Sequence, residues 1–453
     1  MGLIHALGLV SLRPGRLVLA SGLAYLAGVA SVVPICIALL TIGVPVDLPV
    51  AATVTAGVGV AGFGYAFLRL RRTAPTACES EGVQSAPRKW TFPLVLSRLG
   101  ILLIAGFLVF GALSSKHLPL VSDDAHIFSL RALALFHYGD LVPEVFTNPA
   151  LVRSHLDYPL LQPVLESLVY RAIARPDVAL IHIEPWIIFA STVAAACYML
   201  SSRRRCALWL PAIAALAVAP GVYMQVSRGG ADVSESCFLG VAALSGGMWV
   251  EDRLPAHAVL TGLMLGAAAS TKNEGLGGAL AILIALGLVA RIWQARERWV
   301  PWLAAAAVSV AAVLPWRLWM SGHDISNADL TPLGTALKPA FLSDRLNRVP
   351  YAADKMLEQL GNQGRWIWLF PVTLVVALVA VTTPRLRLVA AFYLLSVVGV
   401  TASILFAYWI TALPITYHLQ TSVDRTVTGI VFVCALGAAN LLAALGEDVG
   451  RRT

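Results

Sequence analysis

The sequence predicts an all-α, polytopic membrane protein. Of its 453 residues, 58% are hydrophobic and only 13% are charged, about half the charged fraction of a typical soluble domain. Mean hydropathy is +0.77. The apolar residues gather into runs of about 20, the length that crosses a hydrocarbon core. These features exclude a disordered chain, a disulfide scaffold and an ordinary cytosolic enzyme. In a soluble protein a net charge of +8 would suggest nucleic acid. Here it is the expected result of basic cytoplasmic loops.

Taken in order, candidate spans lie near 17–42, 48–69, 96–115, 179–200, 206–224, 232–250, 256–271, 276–291, 299–319, 366–381, 388–411 and 426–446, about twelve in all. The first is too long for a cleavable signal peptide, and a second follows almost at once. Residues 1–72 therefore read as two N-terminal spans. Residues 73–95, rich in Ser, Pro, Ala and Thr, read as a cytoplasmic linker too short to fold as a nucleotide-binding domain. Residues 96–453 form the main module. Gly57, Gly59 and Gly62 spell G-x-G-x-x-G inside an apolar span, where close helix packing replaces the dinucleotide reading. No internal repeat marks inverted halves. Cys36, Cys197, Cys237 and Cys434 fall in apolar runs, Cys206 at the edge of one and Cys78 in the linker. Without a C-x-x-C they read as small buried residues, not a zinc or redox site.

Positive charge sets the orientation. With Arg13 and Arg16 inside, the inner turns carry Arg69, Arg71, Arg72, Arg88 and Lys89, then Arg203 to Arg205, Arg253, then Arg291, Arg296 and Arg298, then Arg385 and Arg387, and the tail ends in Arg451 and Arg452. Both termini are then cytoplasmic. Segments 116–178 and 320–365 lie outside, with the short connections 225–231, 272–275 and 412–425. Those three connections break the rule. Each holds a lone cation with an acid close by: Arg228 with Asp232 and Glu235, Lys272 with Glu274, and Arg425 with Asp424, in a stretch that begins at His418. Asp232 and Glu235, three apart on a helix start, share a face. Charge at membrane depth is costly and marks functional cavities, so three clusters on one side point to a shared site. A snorkelling anchor or a satisfied ion pair is the plain alternative for any one of them.

Segment 116–178 adds more. Asp123, Asp124 and His126 follow a span directly on the outer side. Residues 124–137 read as a helix with Ile127, Leu130 and Ala134 on one face and Arg131 about two turns after the acids. His155, Asp157, Tyr158 and Pro159 come next, and Pro159 opens a second amphipathic helix over 160–174. Two such helices suit a membrane interface. One aspartate is explained as an N-cap; the second is not.

An acidic pair in the first outer loop, two juxtamembrane helices and many spans resemble the GT-C glycosyltransferases, such as the protein O-mannosyltransferases and the lipid A aminoarabinose transferases. The likeness rests on Asp123-Asp124-Ala-His126, Asp157-Tyr158-Pro159, Gly230-Ala-Asp232, Ser270-Thr-Lys272-Asn-Glu274-Gly275 and Thr421-Ser-Val-Asp424-Arg425, in family order from about 96 to 446. The family's first acid is often Asp-Glu, and here it is Asp-Asp, which leaves Asp123 and Asp124 both open. The two spans before residue 96 have no counterpart in the simplest family layout, and the branches with a large soluble C-terminal domain are not the ones expected here.

The resemblance implies a sugar donor on a polyprenyl phosphate, presented on the outer face of a bacterial inner membrane, and an inverting transfer to a glycan, lipid or protein acceptor. Asp124 or Asp123 would take the acceptor's proton. Arg228, Lys272, Arg425 and Arg131 would face the leaving phosphate. His126, His155, Asp157, Tyr158, Asp232, Glu235, Glu274, His418 and Asp424 would line the substrate site, and Glu184 is a further lining candidate. No metal-ligand spacing occurs, so no metal is expected. Trp186, Trp302, Trp316 and Trp409 read as an aromatic belt. A flippase of a lipid-linked sugar is the competing reading and would need polar residues along a through-path. A non-catalytic scaffold leaves the outer cations unexplained.

Overall fold

The computed structural model describes Ile4, Leu9 and residues 17–72, 92–118, 125–150, 155–203, 205–292 and 299–452. The regular structure of the described residues is helical, apart from an isolated bridge between Leu330 and Thr411. The linker expected at 73–95 lies outside them as far as residue 91, and its last residues already belong to a helix.

The long helices are α1 (Leu17–Thr41), α2 (Leu48–Arg72) and α3 (Phe92–Ser115), then α4 (Leu130–Tyr138) and α5 (Leu161–Ile173) in the first large loop. They continue as α6 (Val178–Leu200), α7 (Cys206–Val218), α8 (Pro220–Arg228), α9 (Ala231–Asp252), α10 (Pro255–Thr271), α11 (Asn273–Ile292) and α12 (Trp299–Gly322). The second large loop holds α13 (Arg348–Leu360), and α14 (Leu369–Thr382), α15 (Arg387–Ile410) and α16 (Ile415–Arg452) complete the bundle.

Among the described residues, eight helices are long and apolar enough to cross a membrane, and nine if the bent pair α7–α8 is one span. The twelve-span expectation is thus met only in part, for reasons of length. The described apolar part of α3, Leu99–Ser115, is a shorter helix, as is α14 with 14 residues, which covers only about 21 Å. Helix α14 starts late because Ile367 and Trp368 take left-handed backbone angles. Helix α10 has 17 residues, about 26 Å long. Between α7 and α8 the chain bends by 49° at Pro220, which cannot continue the hydrogen-bond ladder.

Helix α9 is the hub. Its span is buried throughout, and that of α16 is 94% buried, so both are hydrophobic all round because protein, not lipid, surrounds them. Small residues let the neighbours in. A Cβ at Gly262 of α10 would overlap the backbone of Ala305 in α12, the close approach that small residues permit in membrane bundles. Helix α2 is the opposite case, with only 11% of its span buried. Nothing lies within 4 Å of where a Cβ would sit at Gly57 or Gly59. The close packing expected of these glycines is therefore not made among the described residues.

Charged knots mark both ends of α9. At one end stand Asp232 and Glu235. At the other, Arg203 joins Glu251 at 2.7 Å and Glu447 at 2.8 Å, tying α9 to the end of α16. The rise from residue 232 to 251 is about 28 Å, close to a hydrocarbon core of about 30 Å. The knots bracket one membrane thickness.

In the first loop, the single helix expected over 124–137 is a π turn, Ala125–Ser129, running into α4. The second helix, expected over 160–174, is α5. The connection 412–425 is not a loop, because α16 begins at Ile415 and carries His418, Asp424 and Arg425 on its first turns. The tryptophans expected as a lipid-facing belt hydrogen-bond inward. Trp186 donates to Ser115 Oγ, Trp302 to the Leu283 carbonyl, Trp316 to that of Asp157 and Trp409 to that of Leu342.

Candidate functional site

The polar centre is built on the corner between α10 and α11. Lys272 is the one extended residue between the two helices, with φ −149° and ψ 158°. Gly275 permits so tight a corner: a Cβ there would strike the Ala268 carbonyl and stand 3.1 Å from Glu235 Cγ. The corner aims Lys272 at the first turn of α9, where its Nζ donates to Asp232 Oδ1 at 2.7 Å. Glu274 Oε1 lies 3.5 Å from the same nitrogen, and Arg425 Nη1 is 3.9 Å from Asp232 Oδ2. Lys272 and Asp232 are 3% and 4% exposed. Burial opposes the Lys272 charge, but Asp232 and Glu274 outweigh it and hold the ammonium well above the usual lysine range. Glu235 is buried one turn on. Residues of all three sequence clusters thus meet in one knot.

The third cation heads a neighbouring knot. Arg228 ends α8, just before Gly229 in a left-handed turn. Its Nη1 stands 3.5 Å from Asp424 Oδ2, and Arg365 Nη2 donates to the same oxygen at 2.9 Å. Gln225 of α8 donates to the Asp424 carbonyl at 3.3 Å.

Asp157 organises the loop between α4 and α5. Asn327 donates to its Oδ2 at 2.8 Å, Asn273 donates to the same oxygen, and Oδ1 is buried without a partner. Burial pushes its carboxyl up, against the Asn273 hydrogen bond. Tyr158 stacks between Phe128 and His155, with ring centroids at 5.8 and 4.8 Å, and Lys272 Nζ lies 5.9 Å from its centroid. His155 Nδ1 is 3.3 Å from Asp329 Oδ2. Burial lowers the His155 imidazole, so this contact is a hydrogen bond to a neutral ring at neutral pH.

Arg131 differs from its expected place beside a phosphate. It is 0% exposed, and its guanidinium donates to the carbonyls of Tyr158, at 2.9 Å, and His155. Burial lowers it to about 10, so it stays charged. It clamps the loop that presents Asp157 and Tyr158. Glu184 also lies elsewhere, in a buried network where Gln162 Nε2 donates to Glu184 Oε1 at 2.9 Å and Glu166 Oε1 at 3.1 Å, and Ser234 donates to Gln162 Oε1. Asp123 and Asp124 lie outside the described residues, and so does the side chain of His126. Just after them in the sequence, Ile127 and Phe128 pack against Ala231, next to Asp232, with Tyr158 alongside.

A cavity of about 840 Å³ opens beside the Lys272 knot. Its polar end holds Tyr158, Asn273, Glu274, Arg317, Asn327 and Asp329, with Tyr408 and His418 nearby. From there it runs between α11 and α15, past Leu276, Leu280, Ile284 and Leu288 on one side and Leu395, Val398 and Ala402 on the other. Leu280 and Val398 are 58% and 63% exposed, so the groove opens sideways on the apolar face of the bundle. It follows α11 from Glu274 to Leu288, about 21 Å.

The loop over 326–333 closes the polar end. It is pinned to the end of α15 by Thr331 N–H on the Ile410 carbonyl at 3.0 Å and Ala412 N–H on that of Asp329 at 2.8 Å. Arg317, Asn327, Asp329 and Arg365 were not singled out from the sequence, and Asn273 only as a neighbour within the Lys272 motif. Asn327 and Asp329 stand only three and five residues beyond Asp324 in the second large loop, a polar grouping that offered a signal. Arg317 is hidden within a span. Among the described residues no group of three or more His, Cys, Asp or Glu is placed to hold a metal ion. No protein-family model, no curated protein and no solved structure matches the chain.

Proposed function

We propose that the protein is a membrane glycosyltransferase of the GT-C kind. It moves a sugar from a polyprenyl-phosphate donor to an acceptor on the extracytoplasmic face of a bacterial inner membrane. One observation carries this reading: the cavity has a polar, hydrogen-bonding head and an apolar groove open to the side. A sugar held by a lipid phosphate has the same two-part chemistry, with a hydrophilic head and a hydrocarbon tail that stays in the bilayer. The basic turn residues Arg203, Arg253 and Arg387 stand at the ends of α6, α9 and α15 remote from the Lys272 knot, which supports a cytoplasmic assignment of that end.

In the transfer the acceptor oxygen forms a bond to the anomeric carbon. The carbon–oxygen bond to phosphate breaks on the opposite face, and polyprenyl phosphate leaves with the electron pair, which inverts the configuration. The acceptor proton goes to a carboxylate, Asp124 or its neighbour Asp123, in the segment that joins the Ala125–Ser129 turn. Asp232, Glu274 and Asp157 fix the cations and amides around them, so that sugar hydroxyls meet preset donors and acceptors.

The test is transfer by purified protein in liposomes, supplied with polyprenyl-phosphate sugars and read by mass spectrometry of the products. Asp124→Asn or Asp123→Asn should abolish transfer, a loss of at least about a hundredfold for a lost base, while the protein still inserts. Full activity in both variants, with loss in Glu274→Gln, would move the base into the cavity wall. Passage of intact lipid-linked sugar across the liposome membrane without transfer would replace this reading with the flippase.

A further inference from the structure

The cations that stand out in the sequence are already paired. Lys272 has Asp232 at 2.7 Å and Glu274 at 3.5 Å, Arg425 has Asp232 at 3.9 Å, and Arg228 shares Asp424 with Arg365. None of these four cations lines the cavity. An anion entering the cavity would have to compete with a buried carboxylate for any of them.

Arg317 is different. It is the arginine of the cavity wall, and no lysine lines that wall among the described residues. It projects from α12 beside Trp316, whose indole holds the Asp157 carbonyl at 3.4 Å. Its Nη2 donates to Asn273 Oδ1 at 2.6 Å, Nη1 reaches only the Met320 sulfur at 4.0 Å, and Nε is buried without a partner. Among the described residues no carboxylate stands within ion-pairing distance of it. A guanidinium with donors to spare, at the polar end of a lipid-facing groove, is suited to a phosphate.

We infer that Arg317 holds the phosphate of a single-chain prenyl lipid that slides in from the membrane between α11 and α15, with the tail along Leu280, Ile284 and Val398. The inference rests on the transferase reading for the lipid's role but not for its binding. One groove about 21 Å long between two helices accepts one chain. A diacyl phospholipid would leave its second chain outside.

The experiment measures binding of geranylgeranyl monophosphate, whose extended chain is about as long as the groove, to the full-length protein in detergent by native mass spectrometry. Wild type should bind it, and geranylgeraniol, without phosphate, should bind far more weakly. Arg317→Gln should weaken binding roughly ten- to hundredfold, and Arg317→Lys should recover part of the loss. Ala402→Trp, which fills the groove from α15 and leaves the arginine in place, should weaken it independently, so a folding defect in one variant does not decide the matter. Arg228→Gln should change it less than about threefold. Equal binding by Arg317→Gln and wild type would overturn the inference, as would equal losses in Arg228→Gln and Arg317→Gln. Displacement by inorganic phosphate alone, or equal binding of dioleoyl phosphatidic acid, would overturn the single-chain lipid. Arg317-dependent binding with no sugar transfer from any donor would leave the inference standing and sink the transferase.

Discussion

Replacing Lys272 by methionine keeps much of the side chain's volume and removes its charge from the most buried ion pair of the candidate site. At 2.7 Å and an effective dielectric of about 20, the attraction to Asp232 is about 6 kcal/mol before desolvation is counted. Deleting one partner of such a pair strands the other charge in a low dielectric and costs about 3–5 kcal/mol. Arg425, at 3.9 Å, still offsets part of the Asp232 charge, so the lower end is expected, about 3 kcal/mol. Asp232→Asn should cost less, about 1–2 kcal/mol, because Glu274 remains 3.5 Å from Lys272. The double variant, Lys272→Met with Asp232→Asn, leaves neither charge stranded and should recover at least half of the Lys272→Met loss. Unfolding in mixed micelles, followed by tryptophan fluorescence, measures all three against wild type. Strictly additive losses in the double variant would refute the reasoning, since two residues in one ion pair must couple.

Two further outcomes follow from buried charge away from the cavity. Burial raises the Glu166 carboxyl from 4.5 to about 7, against the Gln162 hydrogen bond. The folded state therefore holds a proton that the unfolded state has released, and stability is highest below about pH 4.5 and falls as pH rises through about 7, by roughly 3 kcal/mol. Glu166→Gln should flatten that slope in thermal melts between about pH 5 and pH 8, and a slope that persists unchanged would assign it to other groups. At the opposite end of the bundle, Arg203→Met leaves Glu251 and Glu447 facing each other. It should cost about 3 kcal/mol and speed amide exchange in the last turns of α16, whereas unchanged exchange there would show that Arg203 does not hold α16 to α9.

The fold class was legible because the bilayer imposes one strong requirement, that backbone polar groups pair within helices. The span count was less so. Hydropathy counts apolar residues, but helix length is set by local breaks. The left-handed pair Ile367 and Trp368, with the proline bend between α7 and α8, shortened segments whose composition read as full spans. The reach of α16 back to Ile415 was also hidden, since Asp424 and Arg425 look like loop residues when their partners, Arg365 and Asp232, are not known. Burial in this bundle works against composition too: Trp186 and Trp316, whose sequence positions suited a lipid-facing belt, are each 2% exposed and donate to Ser115 and Asp157 inside the protein.

The same physics decides which charges the sequence reveals. A cation at a span's end is conspicuous because it breaks the positive-inside pattern, and it is tolerated there because acids surround it. Lys272, Arg228 and Arg425 are therefore both the easiest cations to find and the ones whose charge is already answered, by Asp232, Glu274 and Asp424. A cation that is to receive an anionic ligand must lack such a partner, so no neighbouring acid advertises it. Arg317 fits that description. It lies within an apolar run between Trp316 and Trp319, and its nearest hydrogen-bond partner, Asn273, is neutral. Its exposure to the cavity, not its sequence neighbourhood, identifies it. The paired charges hold the helices around the cavity together, and the unpaired one is left facing the cavity.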